Sequence, residues 1–317
     1  MPAACGGWAA SEHYPVPRGI AAVHTRRRSG EACRGELNMK TRILSSLVGL
    51  ALLAVVFAFL EGPLLNIVIG IICVMAVYEL LSATGCLRFR GLVVLSLLMA
   101  LLIPFARVNH LRDYLFEAIY FLILAFFILL IINSATMSIQ HFAMAFLFST
   151  VIPVFYSCAV YLRDDYGPLL GGYYLLLALG SGWLCDSGAY FIGRKWGKRK
   201  LAPRISPNKT VEGAVGGLLT CTVLMLLISW GFARLVGAAG GAVRVNYAAI
   251  ALYTPVIAVI GMLGDLSASV IKRGCGIKDF GNVMPGHGGI LDRFDSVLFT
   301  LPAIYILTDY VGLVTIS

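Results

Sequence analysis

Charged residues that could carry out chemistry are concentrated in one stretch of an otherwise apolar chain, from Ser269 to Asp295. The stretch contains four cations, three carboxylates and a histidine, which are Lys272, Arg273, Lys278, Arg293, Asp279, Asp292, Asp295 and His287. Asp292 and Asp295 share one face if a helix begins there, and Asp265 comes just before the stretch. Such carboxylates suit Mg²⁺, which takes few protein ligands plus substrate phosphates, and cations suit the phosphates themselves. The pattern therefore predicts a metal-and-phosphate site.

A solvated connecting loop is the alternative interpretation of this stretch. Basic loops beside membrane segments are common. They rarely combine cations with carboxylates and a Pro-Gly-His-Gly-Gly turn, here Pro285 to Gly289, within so few residues. We therefore favour the functional interpretation.

A second polar stretch runs from Asp186 to Gly213. Asp186 lies inside an apolar segment among glycines, which permit close approach of helices, and a charge in such a position is usually functional. The cations from Arg194 to Lys200 are numerous and evenly spread. We interpret them as a solvated anchor at the end of the segment.

The two stretches resemble the signature of the phosphatidate cytidylyltransferases, also called CDP-diacylglycerol synthases. The later stretch matches Ser-x-apolar-Lys-Arg, four residues, Lys-Asp, then Pro-x-His-Gly-Gly-apolar-x-Asp-Arg-apolar-Asp. The earlier one is similar in Asp-x-Gly-Ala-Tyr-Phe-x-Gly-Arg, Ile-Ser-Pro-x-Lys-Thr and Glu-Gly. The resemblance covers residues 186–295, and the first five apolar segments agree only in hydropathy.

This resemblance implies transfer of CMP from CTP to phosphatidic acid, giving CDP-diacylglycerol and pyrophosphate, with Mg²⁺ as cofactor. It also implies a homodimer. The nucleophile is a phosphate oxygen that already carries charge, so no general base is strictly required. The barrier is mainly electrostatic, and enzymes of this kind lower it with positioned cations and metal.

The resemblance also implies roles for individual residues. Asp265 and Asp292 are the expected metal ligands. The other expected catalytic residues are Asp186, Lys209, Lys272, Arg273, Lys278, Asp279 and Asp295. The expected substrate-binding residues are Ser206, Lys209, Lys272, Arg273, Lys278, His287, Gly288 and Gly289. For His287 a simple turn residue is the alternative, and for Arg293 a structural role is open.

The composition predicts an integral membrane protein. Of 317 residues, 59% are hydrophobic and 13% charged, against about 25% charged in soluble domains. We expect an all-α polytopic fold of about nine transmembrane helices, since each apolar stretch is near the roughly 20 residues that cross a bilayer. The stretches are 43–60, 64–82, 90–106, 114–132, 141–162, 169–191, 211–235, 247–264 and 294–314.

The distribution of Lys and Arg predicts the orientation. With a cytoplasmic N-terminus, 20 of the 25 basic residues fall inside. The five outside are Arg107, Arg112, Arg163, Arg234 and Arg244. Both polar stretches then face the cytoplasm, where nucleotides are found, and we expect a bacterial cytoplasmic membrane. The net charge of +9 reflects this bias and suits anionic membrane lipids. Nothing resembles a nucleic-acid-binding module.

Residues 1–38 differ from the rest of the chain in being polar and rich in Gly, Ala and Arg. We expect a disordered extension, and translation that begins at Met39 is a hypothesis. Residues 39–317 then form one membrane-embedded domain with catalytic loops at 186–213 and 265–295. The eight cysteines are scattered without a C-x-x-C pair, which predicts neither disulfides nor zinc.

Three smaller features leave alternatives open. Glu79 and Glu117 lie inside apolar runs, where a charge costs about 2.5 kcal/mol or more, so each must face protein or water. For Glu79 the simpler interpretation is that it reaches the cytoplasmic interface. Gly213 and Gly217 form a small-xxx-small pattern that packs either inside the protein or in a dimer.

Two other functional classes share features with this sequence. A secondary transporter has a similar number of apolar segments, but transporters tend to show internal repeats and a site at the membrane midplane. The chain has no convincing repeat, and its charges lie in predicted loops. A related nucleotide-dependent lipid kinase is the other alternative. The intact Asp and Lys positions argue against an inactive homologue.

Overall fold

The computed structural model describes residues 49, 51–108, 112–281 and 288–316. The predictions for residues 1–38, for a start at Met39 and for His287 lie outside the described residues. Within them the chain is almost entirely helical, as the apolar segments predict.

The helices follow one another with short connections. In chain order they are α1 (51–58), α2 (Leu64–Ala83), α3 (Arg90–Leu102), α4 (Arg112–Ile132), α5 (Ile139–Trp196), α6 (Val211–Ala238), α7 (Tyr247–Gly274), α8 (Leu291–Phe294) and α9 (Val297–Tyr310). Single 3₁₀ turns lie at Cys86–Arg88 and Ile103–Phe105. Two antiparallel ribbons complete the fold, β1 (Lys200–Ala202) with β2 (Ser206–Thr210) and β3 (Val243–Val245) with β4 (Val314–Ile316).

Helix α5 is two helices joined at Gly167. That residue has a φ of 74°, in the left-handed region that glycine tolerates best, and Pro168 follows it. A side chain at Gly171 would place its Cβ 2.5 Å from the carbonyl oxygen of Leu162. A straight helix would separate these residues by about 13 Å, so the chain turns back at Gly167. The break falls between the predicted segments 141–162 and 169–191.

Among the described residues, five helices are long and apolar enough to cross a membrane, which confirms the polytopic all-α class. They are Leu64–Ala83, Tyr114–Ile132, Ile139–Trp196, Val211–Ala238 and Tyr247–Gly274, and two shorter apolar helices cover Arg90–Phe105 and Val297–Tyr310. Buried apolar side chains come mainly from α2, α5, α7 and α9. Helix α4 has most of its surface exposed and therefore lies at the periphery.

Two segment boundaries were wrong. Helix α7 continues to Gly274, ten residues beyond the predicted end at 264, so Asp265 lies within a helix. The final segment, predicted over 294–314, is helical only over Val297–Tyr310 and ends in strand β4. The hydropathy of a segment indicates that its side chains lie in an apolar environment. It does not indicate at which residue the helical hydrogen bonds of the backbone end.

Glycines bring α6 against the second half of α5. A side chain at Gly217 would place its Cβ 2.6 Å from the carbonyl oxygen of Cys185, and one at Gly213 would lie 2.7 Å from that of Ala189. The small-xxx-small pattern therefore packs inside the protein, which decides between the two alternatives for these glycines.

Gly217→Leu is expected to destabilise the protein because its side chain would collide with the backbone of α5. Overpacking of this kind costs about 1–3 kcal/mol or more. A lower unfolding temperature in detergent is the expected measurement. Gly231→Leu on the same helix is the matched control, because nothing lies within 4 Å of a Cβ at that position. Equal unfolding temperatures for the two variants would contradict the described α5–α6 contact.

Candidate active site

One ammonium group lies between carboxylates from two helices. Lys209 forms an ion pair with Asp265 on α7, and its Nζ lies 3.6 Å from Oδ1 of Asp186 on α5. Burial lowers the pKa of Lys209, but Asp186 and Asp265 outweigh that effect and hold the pKa above its usual value. Lys209 is therefore a permanent cation at neutral pH.

The hairpin β1–β2 places Lys209 at this position. Thr210 follows it directly and caps α6, since its Oγ1 accepts the amide of Gly213 at 3.1 Å. Glu212 in the first turn of α6 accepts the amides of Lys198 and Arg199 at 2.9 and 3.1 Å. Both ends of the hairpin are thus fixed to the start of α6. Thr210 and Glu212, two residues of the sequence motif, make these contacts.

A second ammonium–carboxylate pair lies between α7 and α8. Nζ of Lys272 donates to Oδ1 of Asp292 at 2.8 Å, and Lys272 is only 8% exposed. The other oxygen of Asp292 accepts the backbone amides of Phe280 and Gly289 at 2.8 and 3.0 Å. Asp292 is therefore held from three directions.

Asp295 is a buried residue, with 6% exposure. Its Oδ1 accepts the amide of Ser296 at 2.8 Å. Two side chains of α5 hold the turn before α9, because Tyr156 donates to the carbonyl of Phe294 at 3.0 Å and Trp183 to that of Arg293 at 3.1 Å. Both halves of α5 thus position α8, and the second half also carries Asp186.

Both polar stretches open into one cavity of about 700 Å³. Six predicted site residues line it, namely Asp186, Ser206, Lys209, Asp265, Asp292 and Asp295. The rest of the lining includes apolar side chains such as Leu53, Trp183, Met262 and Phe294. A cavity lined by both charged and apolar side chains suits a substrate with a charged head group and an apolar remainder.

Other predicted site residues lie away from the described lining of this cavity. Lys272 is buried behind Asp292. Arg273 donates to the carbonyls of Ile205 and Ile277 at 3.5 and 3.2 Å, which ties the end of α7 to the hairpin. Lys278 and Asp279 are exposed. Gly288 has a φ of 84° and, like Gly289, lies beside Asp292.

The donor chemistry of the cavity fits Mg²⁺. Within the described ranges no three His, Cys, Asp or Glu side chains form a preformed metal cluster. Mg²⁺ usually takes one or two carboxylates and completes its shell with water and substrate phosphates. Asp265 and Asp292 line the same cavity, and each already faces a positive charge. The residues that would hold the ion are therefore carboxylates, whose oxygens are suitable ligands and whose negative charges already attract cations.

Glu79 on α2 is a functional candidate that the sequence interpretation missed. Its side chain is 3% exposed, and its two oxygens accept the amides of Ile290 and Leu291, both at 2.9 Å. The interpretation that it reaches the cytoplasmic interface is wrong, because it faces the stretch from Ser269 to Asp295 inside the protein. The sequence feature that could have identified Glu79 is a charged side chain within an apolar segment.

Fold and site together define an integral membrane protein whose two motif regions form one charged cavity. Residues 40–311 match the profile of the cytidylyltransferase family, and the chain belongs to that family. The resemblance seen in the sequence is thereby confirmed.

Named relatives agree with this assignment. The chain is 36% identical to the phosphatidate cytidylyltransferase of Bacillus subtilis (strain 168) over 280 residues, covering 86% of this chain and 98% of that protein. It is 34% identical to that of Staphylococcus aureus (strain COL) over 285 residues, covering 85% and 98%. For the phosphatidate cytidylyltransferase of Staphylococcus epidermidis (strain ATCC 12228 / FDA PCI 1200) the identity is 48% over 134 residues, covering 42% and 48%. These matches do not favour a transporter.

Proposed function

We propose that the protein transfers CMP from CTP to phosphatidic acid, giving CDP-diacylglycerol and pyrophosphate. The observation that carries this proposal is that Lys209, Asp265 and Asp292 line one cavity together with apolar side chains. Lys209 pairs with Asp265 there, and Asp292 pairs with the buried Lys272. Such a cavity can accept the charged head group of a lipid. The names of the relatives supply the nucleotide and the lipid.

In this reaction an oxygen of the phosphatidic acid phosphate attacks the α-phosphorus of CTP. The bond from the α-phosphorus to the bridging oxygen breaks, and pyrophosphate leaves with its electron pair. Both reactants are anions, so the protein must offset their repulsion. Lys209 faces the cavity as a permanent cation, and Lys272, Arg273 and Lys278 add positive charge around it. Their proposed role is to bind phosphate oxygens.

Asp265 and Asp292 are the proposed ligands of Mg²⁺, with Asp186 and Asp295 as neighbouring carboxylates that ligate or orient. When bound, the ion neutralises charge on the nucleotide phosphates. Ser206, His287, Gly288 and Gly289 are proposed to shape the nucleotide pocket, and Asp279 to orient a lysine or contact the metal.

We also propose nine membrane-spanning helices, a cytoplasmic N-terminus, a cavity that faces the cytoplasm of a bacterial inner membrane, and a homodimer. The positive-inside bias supports the orientation. Two of the basic residues assigned to the outside, Arg107 and Arg163, lie in a cluster where Arg107 donates to both oxygens of Asp165 at 2.8 and 2.7 Å. Asp165 and Asp186 are separated by most of the second half of α5, about 30 Å of helix. This separation suits two opposite membrane faces.

Pyrophosphate release by the purified protein in detergent tests the proposed activity. Release is expected only when CTP, phosphatidic acid and Mg²⁺ are all present, and it should disappear in Asp292→Asn. Release without phosphatidic acid would point to another acceptor. No release by a folded protein under any condition would refute the assignment to this reaction.

A further inference from the structure

The Glu79 carboxylate links α2 to the start of α8. It accepts amides from residues 211 and 212 positions later in the chain, Ile290 and Leu291. Each of its oxygens therefore satisfies one backbone donor at a helix start, where amides have no partner within the helix. Burial of a charged carboxylate costs free energy unless hydrogen-bond donors compensate it. The contact with Glu79 therefore holds residues 290 and 291, at the start of α8, in position.

Two glycines show how closely the backbone surrounds Glu79. A side chain at Gly281 would place its Cβ 2.5 Å from Oε1 of Glu79, and one at Gly289 would collide with the same carboxylate. These glycines stand on either side of residues 282–287. One carboxylate thus contacts the chain both before and after the Pro-Gly-His-Gly-Gly turn, and any residue larger than glycine would displace it.

The same backbone holds Asp292. The amide of Gly289 donates to Oδ2 of Asp292, and the next two amides, those of Ile290 and Leu291, donate to Glu79. Three consecutive peptide groups are therefore shared between the two carboxylates. Displacement of the segment from Glu79 must also move the Gly289 amide that orients Asp292.

We propose that Glu79 is a positioning residue that orients Asp292 through the backbone of residues 289–291. Glu79 is not a member of the described lining of the cavity, and its hydrogen bonds reach the site through these amides. The inference rests on the proposed function, in which Asp292 is a metal ligand. Groups that orient a metal ligand in this way typically affect metal affinity or activity by about 10–100-fold when they are changed.

Glu79→Gln is the sharpest variant because it keeps the shape of the side chain. Glutamine has one acceptor oxygen and one NH₂ group, so one of the two amides would face a donor and lose its hydrogen bond. We expect the Mg²⁺ concentration for half-maximal pyrophosphate release to rise by about 10–100-fold. Hydrogen exchange of the peptide containing Ile290 and Leu291 should also become faster, which requires no turnover.

The control is Glu117→Gln. Glu117 is an acid within an apolar segment too, but its side chain is exposed on α4, so Mg²⁺ dependence and exchange should both stay at wild-type values. If the glutamine variant does not fold, Glu79→Asp retains the charge with a shorter reach and is expected to shift both measurements in the same direction.

An active Glu79→Gln protein with wild-type Mg²⁺ dependence would overturn the inference. So would an equal loss of activity at every Mg²⁺ concentration together with a lower unfolding temperature, because that describes a merely structural residue. A wild-type protein that releases no pyrophosphate would instead refute the proposed function. Hydrogen exchange would then still decide whether Glu79 holds the segment.

Discussion

Asp265→Asn is expected to lower the rate of pyrophosphate release by on the order of 10³-fold, the loss seen when one charged partner is removed from a phosphoryl-transfer site. Asparagine keeps the size of the side chain and one acceptor oxygen, but it removes the negative charge that faces Lys209 and the cavity. The measurement is the initial rate at saturating CTP, phosphatidic acid and Mg²⁺. The unfolding temperature should be recorded as well, because the change removes the ion pair between Lys209 and Asp265.

Asp309→Asn is the matched control for this prediction. Asp309 also belongs to a helix of the membrane domain, and its Oδ1 accepts the hydroxyl of Tyr166 at 3.0 Å. An amide oxygen can still accept that hydrogen bond, and Asp309 lies outside the described lining of the cavity. Its rate should remain near that of the wild type. A rate for Asp265→Asn within tenfold of the wild type would exclude Asp265 as a metal ligand.

The sequence predicted which residues belong to the cavity better than it predicted what each of them contacts. Asp186 was selected because a charge within an apolar segment is usually functional, Asp265 because it comes just before the charged stretch, and Lys209 because of the family resemblance. The three side chains do meet. Their mutual contact could be expected only from the family resemblance. Nothing in their spacing requires three separate elements to converge.

Contacts made by the cations could not be read from residue type. Lys272 and Arg273 are neighbours in the sequence, yet Lys272 pairs with Asp292 while Arg273 donates to carbonyl oxygens. Successive positions on a helix point about 100° apart, so adjacent side chains enter different environments. Which of them faces the cavity depends on the rotation of α7, and that is set by packing far from the motif.

Glu79 illustrates the same limit over a longer distance. The cost of a charge in an apolar segment correctly predicts that Glu79 has partners. It does not identify those partners, because they are backbone amides more than two hundred residues away. Backbone groups have no signature in a sequence. The glycines at 281 and 289 were visible, but their relation to Glu79 depends on the folded structure.

Lys209→Met is expected to produce two opposite effects. Pyrophosphate release should fall by about 10²–10³-fold, because a group that stabilises charge in the transition state is lost. Mg²⁺ should meanwhile bind more tightly in the absence of nucleotide, because Asp186 and Asp265 lose the ammonium that lies between them. The Mg²⁺-dependent rise of the unfolding temperature measures the second effect without turnover.

Lys209→Arg separates charge from shape in this prediction. Arginine keeps the positive charge but not the compact ammonium, so it should retain weak Mg²⁺ binding and recover part of the activity.

The pKa of Lys209 is raised in the folded protein, so its ammonium form is complete below about pH 10.4 and is lost only as the pH rises through the still higher folded value. Lys209 of the metal-free protein therefore stays positively charged between pH 7 and 9. If Lys209→Met binds Mg²⁺ no better than the wild type, the ammonium does not compete with the ion, and the metal must bind away from Asp186 and Asp265.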